Sequence, residues 1–284
     1  MRASLSCTCG LTGACVIHRL SSPAGAREVM VQPENIAAQL WTVRSLLGDA
    51  RGLAAASRAI RRIGYRAVQL AGLGSIAPQD VRRVLDDAGL KACSAHEDAD
   101  EILERPGQVA ERLHIYGSPS IAYPYPKNQD LSSVKGVQRL CRALTKAGKV
   151  FRAEGVLFAY HHHHLEFQRL GGRIVMDMIL NQVDPELLEI EPDTYWLQAG
   201  GVDPVEWIRR CARRETLLHL KDYGVDPTGK PLFREIGAGN LDWARILPAA
   251  RRAGCRWYIV EQDDHWRTGD PLASLRESWR FLHR

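Results

Sequence analysis

The sequence predicts one closed (β/α)8 barrel, the TIM barrel, on three observations. From about residue 35 onward, short apolar runs alternate with longer helical patterns, which implies parallel strands joined by crossover helices. Eight such pairs fit into the chain, the number that closes a barrel of about 250 residues. His161, Asp193, His219 and Glu261 each follow one of the late apolar runs, and strand-end residues converge only where parallel strands close on themselves. An open dinucleotide-binding sheet is disfavoured, because no G-x-G-x-x-G follows an early strand.

The first strand is expected from Ile36 to Trp41, followed by a helix through Leu53 and Ile63 that ends at Gly64. Ala67 to Leu70 reads as the second strand, and Pro78 opens a helix to Ala88 that Gly89 closes. Ala92 to Ala95 is the third, ending at His96, with one helix through Glu101 and Leu113 after it. Ser120 to Ala122 is a short fourth strand cut by Pro124 and Pro126, and a long helix from Val134 to Glu154 stops at Gly155. Val156 to Ala159 enters the fifth strand, which ends in His161 to His164. A helix from Ile174 to Gln182 leads to the sixth strand, Leu188 to Glu191, and the next helix starts from Pro204 to Arg210. Leu217 to Leu220 is the seventh strand, and a long loop then runs to Asn240, with Asn240 or Asp242 as a helix cap. Tyr258 to Val260 is the eighth strand and Leu272 to Phe281 the last helix. The expected organisation is an extension over 1–34 and the barrel over 35–284.

Composition narrows the function classes. The 284 residues are 45% hydrophobic and 25% charged, an ordinary globular balance with length enough for one large core. The net charge of +5 comes from arginines spread over helical faces, and no aromatic-and-basic stripe accompanies them, so a nucleic-acid partner is not expected. No stretch approaches the ~20 apolar residues of a membrane span. The seven cysteines are an odd number, and four of them (Cys93, Cys141, Cys211 and Cys255) are scattered through expected strands and helices, which suggests reduced thiols and a cytoplasmic setting. Cys7, Cys9, Cys15 and His18 lack zinc-site spacing, and residues 1–27, free of acids, are only weakly like a transit peptide. A homo-oligomer is compatible with the chain.

Strand parity locates the chemistry. Alternation puts His161 and His163 on one face of strand five; Glu189, Glu191 and Asp193 on one face of strand six; His219 and Lys221 on one face of strand seven; and Glu261 and Asp263 on one face of strand eight. Inward faces near the C-terminal strand ends line a barrel's mouth. Two imidazoles and two carboxylates meeting there would hold a divalent ion, with His161 as ligand and His163 as a substrate or supporting contact. His162 and His164 read as structural.

Several segments resemble one family. Tyr160-His161-His162-His163-His164-Leu165-Glu166-Phe167 is similar to the Y-H-N-H-x-x-E-F segment of the xylose-isomerase-like sugar isomerase/epimerase barrels, which include inosose dehydratase relatives. Gly64 to Leu70 resembles G-Y-x-x-V-E-L with Gln69 in place of Glu; Glu191 to Trp196 resembles E-x-D-x-Y-W; His219 to Asp222 matches H-L-K-D; Glu235 to Trp243 resembles E-x-G-x-G-x-x-D-W; Val260 to Asp263 matches V-E-x-D. The resemblance implies one divalent ion at the barrel mouth, held by His161, Asp193, His219 and Glu261. It also implies a departure: epimerases of the superfamily carry Glu where His161 stands, and two glutamates exchange protons with substrate. Imidazole donors suit Mn²⁺ or Co²⁺, then Zn²⁺ or Fe²⁺, better than Mg²⁺.

Such a site would acidify a C–H beside a carbonyl and stabilise the enediolate. Glu261 and His163 are the candidate acid–base groups and Lys221 the oxyanion partner. His96, Trp41 and Trp196 are candidate substrate contacts, and Glu166 and Glu235 would orient His161, His163 or Lys221. The expected function is isomerisation or epimerisation of a small sugar, sugar phosphate or polyol derivative. The alternative is a dehydratase or lyase acting on a keto-inositol or 3-keto-sugar. A non-catalytic metal-binding barrel comes third, and a DNA-repair endonuclease last, for want of further ligands and a basic groove. Arg169, Arg173 and Arg267 are the candidate phosphate contacts, without a P-loop.

Overall fold

The computed structural model describes residues 31–214 and 216–283. Eight parallel strands form the barrel wall, here numbered one to eight: Ile36–Gln39, Ala67–Leu70, Lys91–Ala95, Ser120–Tyr123, Leu157–His161, Glu189–Glu191, Leu217–Leu220 and Trp257–Val260. Strand one pairs with strands two and eight, two with three, and eight with seven; four pairs with five, and five with six. The remaining two seams close through single parallel bridges, His96 with Ala122 and Asp193 with His219. His96, Asp193 and His219 of the predicted site therefore sit at these two seams.

Period-two alternation divides each strand between two environments. Ala37, Ala67, Cys93, Ala122, Ala159, Leu217 and Ile259 pack together in the barrel interior, while outward neighbours such as Ile36, Val68, Ile121, Phe158 and Leu218 join the larger core under the helices. Two residues beyond members of the inner apolar layer stand Gln39, Gln69, His161, His219 and Glu261, and Glu191 ends strand six beside them, all buried. Small apolar side chains thus plug the barrel, and a polar layer rests directly on them.

The helices follow the expected punctuation. Gly64, Gly89, Gly117 and Gly155 end helices or turns with positive φ, a conformation glycine adopts without strain. Asp49, Ser133, Asp203, Asp242 and Asp270 cap helix starts through their side chains.

Four local expectations are corrected. Strand one stops at Gln39, whose side chain accepts from Trp41 N and starts a 3-10 stretch, Leu40–Leu46. The single helix through Glu101 and Leu113 is two, Ala99–Glu104 and Pro106–Tyr116, because Pro106 has no N–H to continue the first. Strand six ends before Pro192, and Asp193 caps an unforeseen helix, Thr194–Ala199. The loop after strand seven contains a hairpin, Asp222–Val225 with Pro231–Arg234. Cys7, Cys9, Cys15 and His18 lie outside the described residues, as does most of the 1–34 extension; Val31 is already buried against the core.

Asp222 explains two of the recurrent segments at once. Its carboxylate accepts from the backbone N–H groups of Gly237, Gly239, Leu241 and Tyr223 and from the indole of Trp243. A buried anion thereby shapes the loop that leads into the helix Trp243–Ala253. Asp222→Ala leaves these donors without their acceptor, and each unmet buried group costs about 1–3 kcal/mol. We expect a loss of about 3–5 kcal/mol in urea unfolding; a loss below about 1 kcal/mol would show that the loop finds other acceptors.

Candidate active site

The strand-end residues converge. One ligand atom from each of His161, Asp193, His219 and Glu261 lies within 4.8 Å of the others, and the same holds for a second group, His96, His161, Glu191 and His219. The two groups share two imidazoles, so the orientation of each ring matters.

Donor and acceptor roles here follow from a backbone amide, which can only donate. Trp41 N donates to Gln39 Oε1 (3.2 Å), so the other end of that side chain is its NH2. Gln39 Nε2 donates to Gln69 Oε1 (2.6 Å), and Gln69 Nε2 donates to Glu191 Oε1 (2.6 Å). His219 Nε2, 2.6 Å from Gln69 Oε1, must then carry hydrogen. Its Nδ1 faces the other way, 3.0 Å from Glu261 Oε2 and 3.7 Å from Asp193 Oδ2. His96 Nε2 reaches Glu191 Oε2 at 2.7 Å, and His161 Nδ1 makes an oblique 3.2 Å contact with the same oxygen.

Asp193 is divided between structure and site. Oδ1 accepts from Tyr195 N and Trp196 N as a helix cap, while Oδ2 is buried without a hydrogen-bond partner. Lys221 Nζ lies 3.2 Å from that oxygen, 2.7 Å from Glu261 Oε2 and 2.7 Å from Asp263 Oδ2. Three carboxylates thus share one ammonium, and a fourth, Glu191, meets only imidazoles and the Gln69 amide, so the cluster carries more acid than fixed positive charge when the imidazoles are neutral. Titration reflects the imbalance. Burial pushes the Asp193 carboxyl up to about 6, against the pull of Lys221 and His219. Burial would lower His219, yet Glu191 and Glu261 hold it above the usual histidine value. His161, buried beside His219, is held well below that value. A buried carboxylate excess beside two imidazoles is a donor set that could hold a metal ion.

Beside the cluster opens a cavity of about 770 Å3, lined by His96, His161, His163, Lys221, Glu261 and Asp263 at the inner end and by the loops after strands two to four at the outer end. Trp41 lines it, with the Arg44 guanidinium 4.9 Å above the ring. His163 lines it too; its Nδ1 is buried without a partner, and burial, then the charges of His161 and Lys221, hold it well below the usual value.

The remaining expected residues divide. Glu166 accepts from Tyr160 Oη (3.0 Å) and from the His163 backbone N–H (2.9 Å), and so fixes the turn carrying His163. His162 is structural: its Nε2 accepts from Asp193 N at 3.2 Å. Trp196 packs against His163 and His164, both at 5.1 Å between ring centres, and is not among the residues lining the cavity. Glu235 is a correction. Its carboxylate accepts from Arg267 N and Ser274 Oγ, so it ties the loop after strand seven to the last helix instead of orienting His161, His163 or Lys221. Glu191, Gln69 and Gln39 were not singled out as site residues. The signal for Glu191 was parity with Asp193 two residues later, and for Gln69 an inward position at the end of strand two.

Fold and cluster together define an α/β barrel with an acid- and imidazole-rich mouth. The chain belongs to the xylose isomerase-like TIM barrel family, which residues 57–284 match. Among curated relatives it is similar to inosose dehydratase of Geobacillus kaustophilus (strain HTA426), 26% identical over 265 residues, covering 78% of this chain and 83% of that one. It is also similar to inosose dehydratase of Mesomycoplasma hyopneumoniae (strain 7448), 25% identical over 181 residues and 56% of each chain. The chain thus spans about half the length of several curated relatives it matches. Its fold is that of a sugar phosphate isomerase/epimerase from Parabacteroides distasonis ATCC 8503 (TM-score 0.75, 21% identity, 92% of this chain and 96% of that one). L-ribulose 3-epimerase shares it (TM-score 0.69, 15% identity, 87% and 92% covered). No helix among the described residues is long and apolar enough to cross a membrane.

Glu166 generates a pH prediction. Burial, against the hydrogen bonds of His163 N and Tyr160, raises its pKa from 4.5 to about 7. The folded state therefore keeps a proton that the unfolded chain gives up, so this contribution is fully present below pH 4.5 and is lost as pH rises to about 7. The loss is about 3 kcal/mol at 1.36 kcal/mol per pKa unit. Glu166→Gln, which mimics the protonated acid, should match wild type at about pH 4 and exceed it by about 1–3 kcal/mol at about pH 8. Parallel curves for the two proteins across that range would refute the assignment.

Proposed function

We propose that this barrel eliminates water from an uncharged polyhydroxy ketone of the keto-inositol or keto-sugar type, with a divalent ion held by His161, Asp193, His219 and Glu261. The observation that carries it is the convergence of these four buried residues beside the 770 Å3 cavity. A bound ion would polarise the substrate carbonyl and offset the charge of the enediolate oxygen. Mn²⁺ or Co²⁺ suits this donor set best.

The chain's own groups supply the rest. Lys221, fully buried and clasped by Asp193, Glu261 and Asp263, stays an ammonium and faces developing negative charge. His163, neutral with an unpartnered Nδ1, takes the proton from the carbon beside the carbonyl. The resulting imidazolium returns that proton to the β-hydroxyl, which leaves as water while the enediolate electrons form the new C=C bond. Glu166 holds the His163 backbone in place. Trp41 offers a face for the carbon skeleton.

Elimination is preferred to epimerisation because His161 stands where a second proton-exchanging glutamate would be needed, leaving unlike groups on the two cavity walls. The inosose dehydratase relatives support the same choice. Epimerisation shares the first step and is the second reading, favoured by the fold neighbours. The cavity walls argue for an uncharged substrate. Arg112 is held by Glu97 and Glu101, and Lys127 by Asp98 and Asp100. Five acids line the cavity, and Arg112 and Lys127, its two cations away from the Lys221 cluster, are each already paired with two carboxylates. Arg169 and Arg267 bond to Gly172 O and Glu277 instead. Buried Cys93 and Cys141 as free thiols agree with a reducing, cytoplasmic setting.

Two outcomes test this. Mn²⁺-loaded protein given a keto-inositol in D2O should release an unsaturated or diketone product detectable by NMR. Deuterium appearing in a product of unchanged composition would favour epimerisation, and no exchange at all with inososes and ketohexoses would sink the reading. His163→Ala should lower kcat by about 10²–10⁴-fold while metal content stays at one ion per chain; near-wild-type kcat would remove His163 from the mechanism.

A further inference from the structure

Three imidazoles meet on one oxygen of a side chain that the reaction above does not use. Glu191 is fully buried; its Oε2 lies 2.7 Å from His96 Nε2 and 3.2 Å from both His161 Nδ1 and His219 Nε2, while its Oε1 accepts from Gln69 Nε2. Both imidazoles common to the two candidate ligand groups thus turn one nitrogen toward Glu191.

We infer that Glu191 is a positioning residue that decides which nitrogen each shared imidazole offers, and thereby which of the two overlapping groups holds the ion. With hydrogen on His219 Nε2, which Gln69 Oε1 requires, the lone pair lies on Nδ1, the atom nearest Asp193 and Glu261. His161 Nδ1 has no hydrogen-bond partner, and the nearby acceptor is Glu191 Oε2, so hydrogen there leaves Nε2 to ligate. A carboxylate behind a ligating imidazole fixes its tautomer and raises its donor strength. Here one carboxylate does this for two ligands, and the Gln39–Gln69 chain carries its orientation back to the rigid amide of Trp41. The alternative group would need Glu191 itself as a ligand and would need His219 to abandon its 2.6 Å bond to Gln69.

This rests on the metal reading proposed above, and the test separates the two. Chelator-stripped wild type, Glu191→Gln, Gln69→Met and His96→Ala are titrated with Co²⁺ by calorimetry, and the visible absorption of bound Co²⁺ is recorded. Wild type should bind about one ion; Glu191→Gln should bind about 10–100-fold more weakly with a broadened band. Gln69→Met, which leaves Glu191 and the proposed ligands in place, should weaken binding in the same direction and carries the test if Glu191→Gln does not fold. His96→Ala should stay within about threefold of wild type. Glu191→Gln and Gln69→Met both at wild-type affinity would overturn the inference. So would loss of binding in both His96→Ala and Glu191→Gln, because the ion would then sit in the other group. A folded wild type that takes up no Co²⁺ would overturn the metal reading first, and this inference with it.

Discussion

The constraint on which the barrel mouth depends is charge. Closing eight strands around a small apolar plug leaves a second layer of inward positions with almost no access to water, and this chain fills it with carboxylates, amides and imidazoles. An isolated buried carboxylate is costly, and one partner seldom repays it. Lys221 answers part of the demand by touching three carboxylates at once. The raised pKa of Asp193 and the raised pKa of His219 are two faces of the shortfall: one acid is pushed toward accepting a proton, and one imidazole is pulled toward keeping its own. A site in that condition is disposed to bind positive charge, and its position at the C-terminal strand ends puts that charge at the floor of the cavity.

The same layer explains how much was legible in the sequence. A period of two, applied to four apolar runs, brought His161, Asp193, His219 and Glu261 together without any knowledge of distance, because a closed barrel converts parity into convergence. Helix ends at glycine and starts at proline were equally readable. Short-range competition was less so. Gln39 ends its strand by capping the turn after it, and Asp193 acts as both helix cap and site carboxylate, so the local pattern gave no separate sign of the helix it starts.

Residues whose role depends on a partner far along the chain were harder still. Glu235 sits in a segment shared with a family of enzymes, yet its carboxylate holds Arg267 N and Ser274 Oγ; such a motif records the shape of a loop. Asp222 does the same for the glycine-rich turn. Conversely, Gln39 was one amide in an apolar strand, and Gln69 was marked only as standing in place of Glu. Their meaning appears only when strands one and two are set side by side and the amides are seen to join a backbone N–H to Glu191.

Gln69 stands where the family segment that residues 64–70 resemble has Glu, and the exchange has a physical consequence. A second carboxylate 2.6 Å from Glu191 would repel it and would offer Glu191 no donor. It would also place another anion behind His219, stabilising the imidazolium over the neutral ring. An amide does the opposite on both counts: its nitrogen supplies the hydrogen that Glu191 Oε1 accepts, and its oxygen accepts from His219 without adding charge. Glutamine at this position therefore serves both neighbours at once, holding Glu191 as an anion and His219 without a further charge.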